Sequence, residues 1–98
     1  MTRPDVFTIP AHLQPYARLV QAGDVRLHVY DSGAGEAGGT PLVLVHGLGD
    51  EADTWRRVFV PLAQRRRVIA LDLPGFGRSD RPHCAYTLAF FARTLEAL

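Results

Sequence analysis

Hydrophobic positions change their spacing several times along the chain, and each change marks an element. Residues 1–15 carry Pro4, Pro10 and Pro15, which remove backbone donors and favour an extended lead-in over a helix. From Tyr16 the period is two. "YARLVQAG" and "VRLHVYDSG" flank Gly23-Asp24, and Val25, Leu27 and Val29 alternate with Arg26, His28 and Tyr30. This pattern predicts a half-buried hairpin. A glycine-rich loop follows at residues 32–41. "LVLV", residues 42–45, is then apolar at every position, as in a strand covered on both faces of a parallel sheet flanked by helices.

Beyond residue 52 a helical period takes over. Asp53-Thr54 can cap a helix start, and Trp55, Val58, Phe59 and Leu62 recur at three- and four-residue spacing. Pro61 lies inside that pattern and predicts a kink or a break. "RRRVIALDL" gives a second buried strand ending at Asp72, after which Pro74, Gly75, Gly77 and Pro82 define a long irregular loop. In "TLAFFARTLEAL", Leu88, Phe91, Leu95 and Leu98 return to helical spacing, with Thr87 as N-cap. Hairpin, strand, helix, strand, helix contains one βαβ unit, whose crossover is right-handed by rule, so the fold class is α/β.

Composition acts mainly by exclusion. At 98 residues, 47% hydrophobic and 21% charged, the chain is at most one globular domain. Its net charge of +1 offers no footprint for nucleic acid or an anionic membrane. No stretch has the roughly 18 apolar residues of a membrane span, and no apolar leader follows the N-terminus. The single cysteine, Cys84, cannot close an internal disulfide and fits a reducing compartment, so a cytoplasmic address is expected. No Cys or His spacing suggests a metal site, and no cofactor is expected.

Most candidate motifs have a bland explanation. "GAGEAG", residues 33–38, matches G-x-G-x-x-G, but it runs into Gly39-Thr40-Pro41 and a strand where a dinucleotide site requires a helix, so it reads as a loop. "GRSDR", residues 77–81, misses the G-x-S-x-G nucleophile elbow because Arg81 takes the second glycine position and loop follows. Ser79 therefore reads as a hydroxyl satisfying loop backbone, and Ser32, the other serine, also fails the pattern. The arginines at 65–67 lie at a helix end, where cations suit the dipole. His12, His28 and His83 have no carboxylate or nucleophile at a telling spacing and read as surface or loop histidines.

"HGLG" and "DLPGFGRSD" resist such accounts. Each follows a buried strand, and ligands in parallel α/β sheets bind outside the carboxyl ends of the strands. Glycines at 47 and 49 let backbone approach a ligand and present amide donors.

"PLVLVHGLGDEADTWRRVFVPLAQRRRVIALDLPGFGRSDRP" resembles the N-terminal part of the α/β-hydrolase fold family. The hairpin, the HG-x-G turn, the tryptophan-led helix and the D-x-P-G-x-G-x-S-D loop occur in the family's order across residues 16–98. The resemblance implies that the Leu48 backbone N–H is half of an oxyanion hole. His46, Gly47 and Gly49 would support that turn, and Asp72 with its following glycines would shape the flank of the site. It also implies that nucleophile, acid and base lie beyond residue 98, none of the three being in this chain. Residues 16–98 are then the N-terminal portion of one incomplete domain, inactive by itself, whose "LVLV" strand has an unpaired edge.

The implied parent is a hydrolase of esters or similar small carbonyl compounds with a serine nucleophile. Its partner is a small-molecule substrate, with no nucleic acid and no membrane, and its oligomeric state is open. An aspartate-nucleophile hydrolase of the epoxide hydrolase or haloalkane dehalogenase type is the alternative. Gly49 stands where those classes commonly carry proline, and Leu48 cannot supply a halide-binding hydrogen bond. A non-catalytic small-molecule receptor on the same fold is the other alternative.

Overall fold

The hairpin closes on Gly23, whose φ of +62° supplies the left-handed backbone that a two-residue turn needs. It joins β1 (Ala17–Ala22) antiparallel to β2 (Val25–Asp31), with Ala22 opposite Val25 and Ala17 opposite Tyr30. The computed structural model describes residues 8–33 and 39–98. Residues 1–7 of the lead-in and residues 34–38 of the GAGEAG segment lie outside the described residues.

β3 (Leu42–Val45) and β4 (Val68–Leu71) are parallel neighbours in register from Leu42 with Val68 to Val45 with Leu71. β4 also pairs antiparallel with β2, so the sheet is mixed, in the order β1-β2-β4-β3. Two apolar clusters cover its faces. On one side Leu13, Tyr30, Ala52, Phe59, Val68 and Ala70 are buried against Tyr16, Leu42, Leu44 and Trp55. On the other, Val25, Leu27, Val29 and Leu71 pack against Ile69, Phe90, Leu95 and Leu98. This architecture fits an incomplete N-terminal part of an α/β-hydrolase sheet.

Several local expectations change. Residues Ala11–Tyr16 form a 3₁₀ helix where extended chain was expected, because Leu13 gains a fully buried place on the sheet. With Phe59 that cover buries Tyr30, and Asp72 and Ser79 meet His28, so both residues are interior, not half exposed. The helix after β3 is broken into a 3₁₀ turn, Ala52–Trp55, and a short α1 (Phe59–Ala63). Pro61 sits in the first turn of α1, where its missing N–H costs no helical bond. Asp53 and Thr54 lie inside the 3₁₀ turn, and its N-cap is Glu51, without a side-chain bond.

The "LVLV" strand is not covered on both faces. Val43 and Val45 remain 41% and 40% exposed because β3 is an edge strand. α2 (Leu88–Ala97) begins as expected, with the Thr87 hydroxyl accepting from the Phe90 amide at 3.1 Å. Its buried stripe, however, runs through Phe90, Thr94, Leu95 and Leu98, and leaves Leu88 in solvent.

Candidate active site

Parallel register places Val45 beside Leu71, so the turn that starts at His46 and the loop that starts at Asp72 leave the sheet side by side. His46 is 5% exposed, and its Nε2 accepts the Leu73 amide proton at 3.0 Å. An amide can only donate, so Nε2 is the unprotonated nitrogen. Nδ1 then carries the proton and donates to the Gly47 carbonyl at 2.7 Å. Both ring nitrogens of His46 are occupied in holding chain, with the ring edge-on to Phe76 at 5.4 Å.

The turn itself is open. The Asp50 amide donates to the Gly47 carbonyl at 3.2 Å, and Gly49 has φ +77° with empty space around it. The Leu48 side chain is 95% exposed, and among the described residues no backbone acceptor takes the Leu48 amide. A shallow cleft of about 160 Å³ lies between turn and loop, lined by Gly49, Asp50, Glu51, Phe76 and Arg78.

Asp72 joins three segments from a fully buried position. Oδ1 accepts the Ala52 amide at 2.6 Å, from the end of the turn. Oδ2 accepts the Arg78 amide at 2.9 Å and faces His28 Nδ1 at 3.0 Å. Burial would raise the Asp72 pKa, but the bonds from His28, Ala52 and Arg78 outweigh it and hold the carboxyl below its usual range. A Cβ on Gly77 would fall 2.6 Å from the Asp72 carboxyl carbon, so a glycine there permits the close approach.

A second carboxylate braces the same two segments. Asp53 accepts from the Tyr30 hydroxyl at 2.5 Å and pairs with the Arg78 guanidinium at 3.2 Å. Burial, together with the bond to Asp53, pushes the Tyr30 phenol far above its ordinary pKa. Burial also raises the Glu51 pKa, with the nearby charges of Asp53, Asp50 and Asp72 acting in the same direction.

The other sequence candidates have structural occupations. The Ser79 hydroxyl accepts from the His28 amide at 2.9 Å and donates to the Asp72 carbonyl at 2.5 Å. Ser32 Oγ accepts the Val68 amide at 2.8 Å, tying β2 to β4. Arg67 makes a two-pronged contact with Asp31, while Arg65 and Arg66 are exposed. His12 contacts the Arg56 carbonyl at the surface, and His83 and Cys84 are exposed. His28 is the correction among the histidines, because it is 4% exposed and bonded to Asp72 across 44 positions. Asp53, Tyr30 and Arg78 also escaped sequence reasoning, since no local spacing joins them.

Among the described residues, no group of three His, Cys, Asp or Glu converges as a metal site. No helix among them is long and apolar enough to cross a membrane.

A family model described as the alpha/beta hydrolase fold matches residues 40–98. The 2-hydroxy-6-oxo-2,4-heptadienoate hydrolase of Pseudomonas putida is 45% identical over 69 residues, covering 67% of this chain and 24% of that protein. A solved serine hydrolase involved in carbazole degradation is similar with a TM-score of 0.72 at 38% identity, covering 83% of this chain and 31% of its own. A haloalkane dehalogenase from Agrobacterium tumefaciens is similar with a TM-score of 0.71 at 33% identity, covering 83% and 26%. The chain spans about a quarter or less of the length of the curated relatives it matches. With a mixed sheet, two adjoining loops at the ends of its parallel strands and a family match over more than half of its length, the chain belongs to the α/β-hydrolase fold family.

Proposed function

We propose that this chain forms part of a hydrolase of esters or similar small carbonyl compounds, with the Leu48 backbone N–H as an oxyanion donor and a serine nucleophile beyond residue 98. The observation that carries the reading is the open Leu48 amide on a turn pinned at both ends. His46 binds the Leu73 amide on one side, and Asp72 takes the Ala52 amide on the other. A donor fixed before reaction stabilises the oxyanion without reorganising when charge develops in the transition state. The similarity to a 2-hydroxy-6-oxo-2,4-heptadienoate hydrolase supports a small carbonyl substrate, and the similarity to a serine hydrolase supports a serine nucleophile.

The 98-residue chain is inactive in this reading. Its two serines and His46 all hold backbone, so neither serine is free to act as the nucleophile of an acyl-enzyme and His46 is not free to act as its base. Turnover of p-nitrophenyl acetate by the purified chain above a Leu48→Pro control would overturn that part. In the hydrolase that carries this segment, Leu48→Pro is expected to lower kcat by about 10²–10³-fold, the loss typical of one oxyanion donor. An active-site serine outside this segment should take up a fluorophosphonate label. Failure to label, with halide or diol release instead, favours the aspartate-nucleophile class, a reading supported by the similarity to a haloalkane dehalogenase.

A further inference from the structure

Asp72 and Asp53 belong to a closed ring of contacts between the turn and the loop. The Ala52 amide donates to Asp72 Oδ1, the Arg78 amide donates to Asp72 Oδ2, and the Arg78 guanidinium returns to the carboxylate of Asp53, the residue after Ala52. Each segment therefore gives the other one carboxylate and receives one set of N–H donors. Ala52 and Asp53 lie four and five positions after Leu48, while His46, two positions before it, is held by Leu73 from the same loop. The open amide of Leu48 thus sits between two anchors that both lead back to residues 72–78.

We infer that Asp72 and Asp53 are positioning residues for the Leu48 amide, setting its direction by locking the turn to the loop; the inference rests on the proposed oxyanion role of that amide. Two features fit positioning better than simple stabilisation. The Asp72 carboxylate is buried and spends its oxygens on two backbone N–H groups and the His28 ring, so it fixes the direction of the chain at Ala52 and Arg78. The Asp53–Arg78 pair, with both side chains 13% exposed, is sheltered enough to hold one geometry. Gly77 is the steric counterpart, since the carboxylate occupies the space where a side chain would begin.

The test uses nitrogen-15 relaxation on the hydrolase that carries this segment, with Asp72→Asn and Asp53→Asn. Asp72→Asn puts an amide NH₂ among three donors, and Asp53→Asn removes the charge that holds Arg78. The Leu48 amide order parameter should fall from the rigid range near about 0.85 toward about 0.6 or lower in each variant, while β2 and β4 amides keep theirs. The Ala52 and Arg78 amide protons should move upfield together in Asp72→Asn. Unchanged order at Leu48 in the folded variants overturns the inference. If Asp72→Asn does not fold, Asp53→Asn decides alone by the same criterion.

Kinetics separates this inference from the functional reading beneath it. In the hydrolase that carries this segment, Asp53→Asn should lower kcat by up to about 10²-fold with KM little changed, the scale expected from displacing a catalytic group. If Leu48 loses order but Leu48→Pro leaves kcat intact, positioning holds and the oxyanion role fails. If Leu48→Pro removes activity while both aspartate variants keep Leu48 rigid and kcat normal, positioning alone fails.

Discussion

His46 and Leu73 are joined by a hydrogen bond of 3.0 Å from the Leu73 amide to Nε2, and this bond fixes the tautomer of the ring as well as the position of the turn. A catalytic base would need that lone pair free. His46→Ala should therefore behave as a structural loss: about 1–3 kcal/mol in urea unfolding, the cost of leaving a largely buried donor unpaired. His46→Gln, whose carbonyl can accept the same proton, should recover part of it. Equal losses in the two variants would show that the bond contributes little.

Gly77 and Gly49 both have positive φ, +52° and +77°, but only Gly77 faces an obstacle. Gly49→Ala should cost only the backbone penalty of about 1–2 kcal/mol. Gly77→Ala adds a collision with Asp72 and should cost clearly more, so the ranking of the two denaturation midpoints is the measurement. A smaller loss at Gly77 would mean that Asp72 moves aside freely.

Acid should destabilise the chain through Asp72. Its folded pKa is depressed, so its contribution is fully present above the unfolded value of about 3.9 and is lost as pH falls through the folded value. Asp31, lowered by its contact with Arg67, contributes in the same direction, discounted because Arg67 is largely solvent-exposed. Asp72→Asn should cost about 3 kcal/mol at pH 7 and flatten the pH dependence of stability below about pH 4. Arg67→Ala should cost under about 1 kcal/mol and depend on salt. An unchanged acid limb in Asp72→Asn would assign the effect elsewhere.

The β3 edge should make the isolated chain self-associate. Its outward residues Val43 and Val45 are about two-fifths exposed on a strand that pairs on one side only. Lysine at position 43 or 45 blunts such an edge. Val43→Lys and Val45→Lys should lower the concentration dependence of the mass seen by light scattering. Association that is insensitive to both substitutions would point to another surface.

Local sterics and periodicity made several elements legible before any packing was known. Gly23-Asp24 between two alternating runs defined the hairpin, apolar runs marked β3 and β4, and Thr87 marked the start of α2. "HG-x-G" and the 72–80 glycine motif pointed to the family, and the left-handed backbone at Gly49, Gly75 and Gly77 is the physical reason that these glycines carry a signal. Burial was another matter, settled by segments far apart in the chain. His28 alternates with Leu27 and Val29 in a pattern that reads as solvent-facing, yet Leu13 and Phe59 cover that face and Asp72 meets the ring from 44 residues away. Leu27 and Val29 point to the opposite cluster, which is why the alternation looked amphipathic.

The same limit explains β3 and the braces around Leu48. Four apolar residues in a row read as a strand covered on both faces; its unpaired edge was expected only through the family resemblance, and the strand order β1-β2-β4-β3 places β3 at that edge. Asp53, Tyr30 and Arg78 are separated by 23 to 48 positions, and no spacing rule reaches across such distances. Chain chemistry set the turns and the periods. The packing of distant segments against one sheet determined which polar groups were taken out of water, and with them which carboxylates hold the turn.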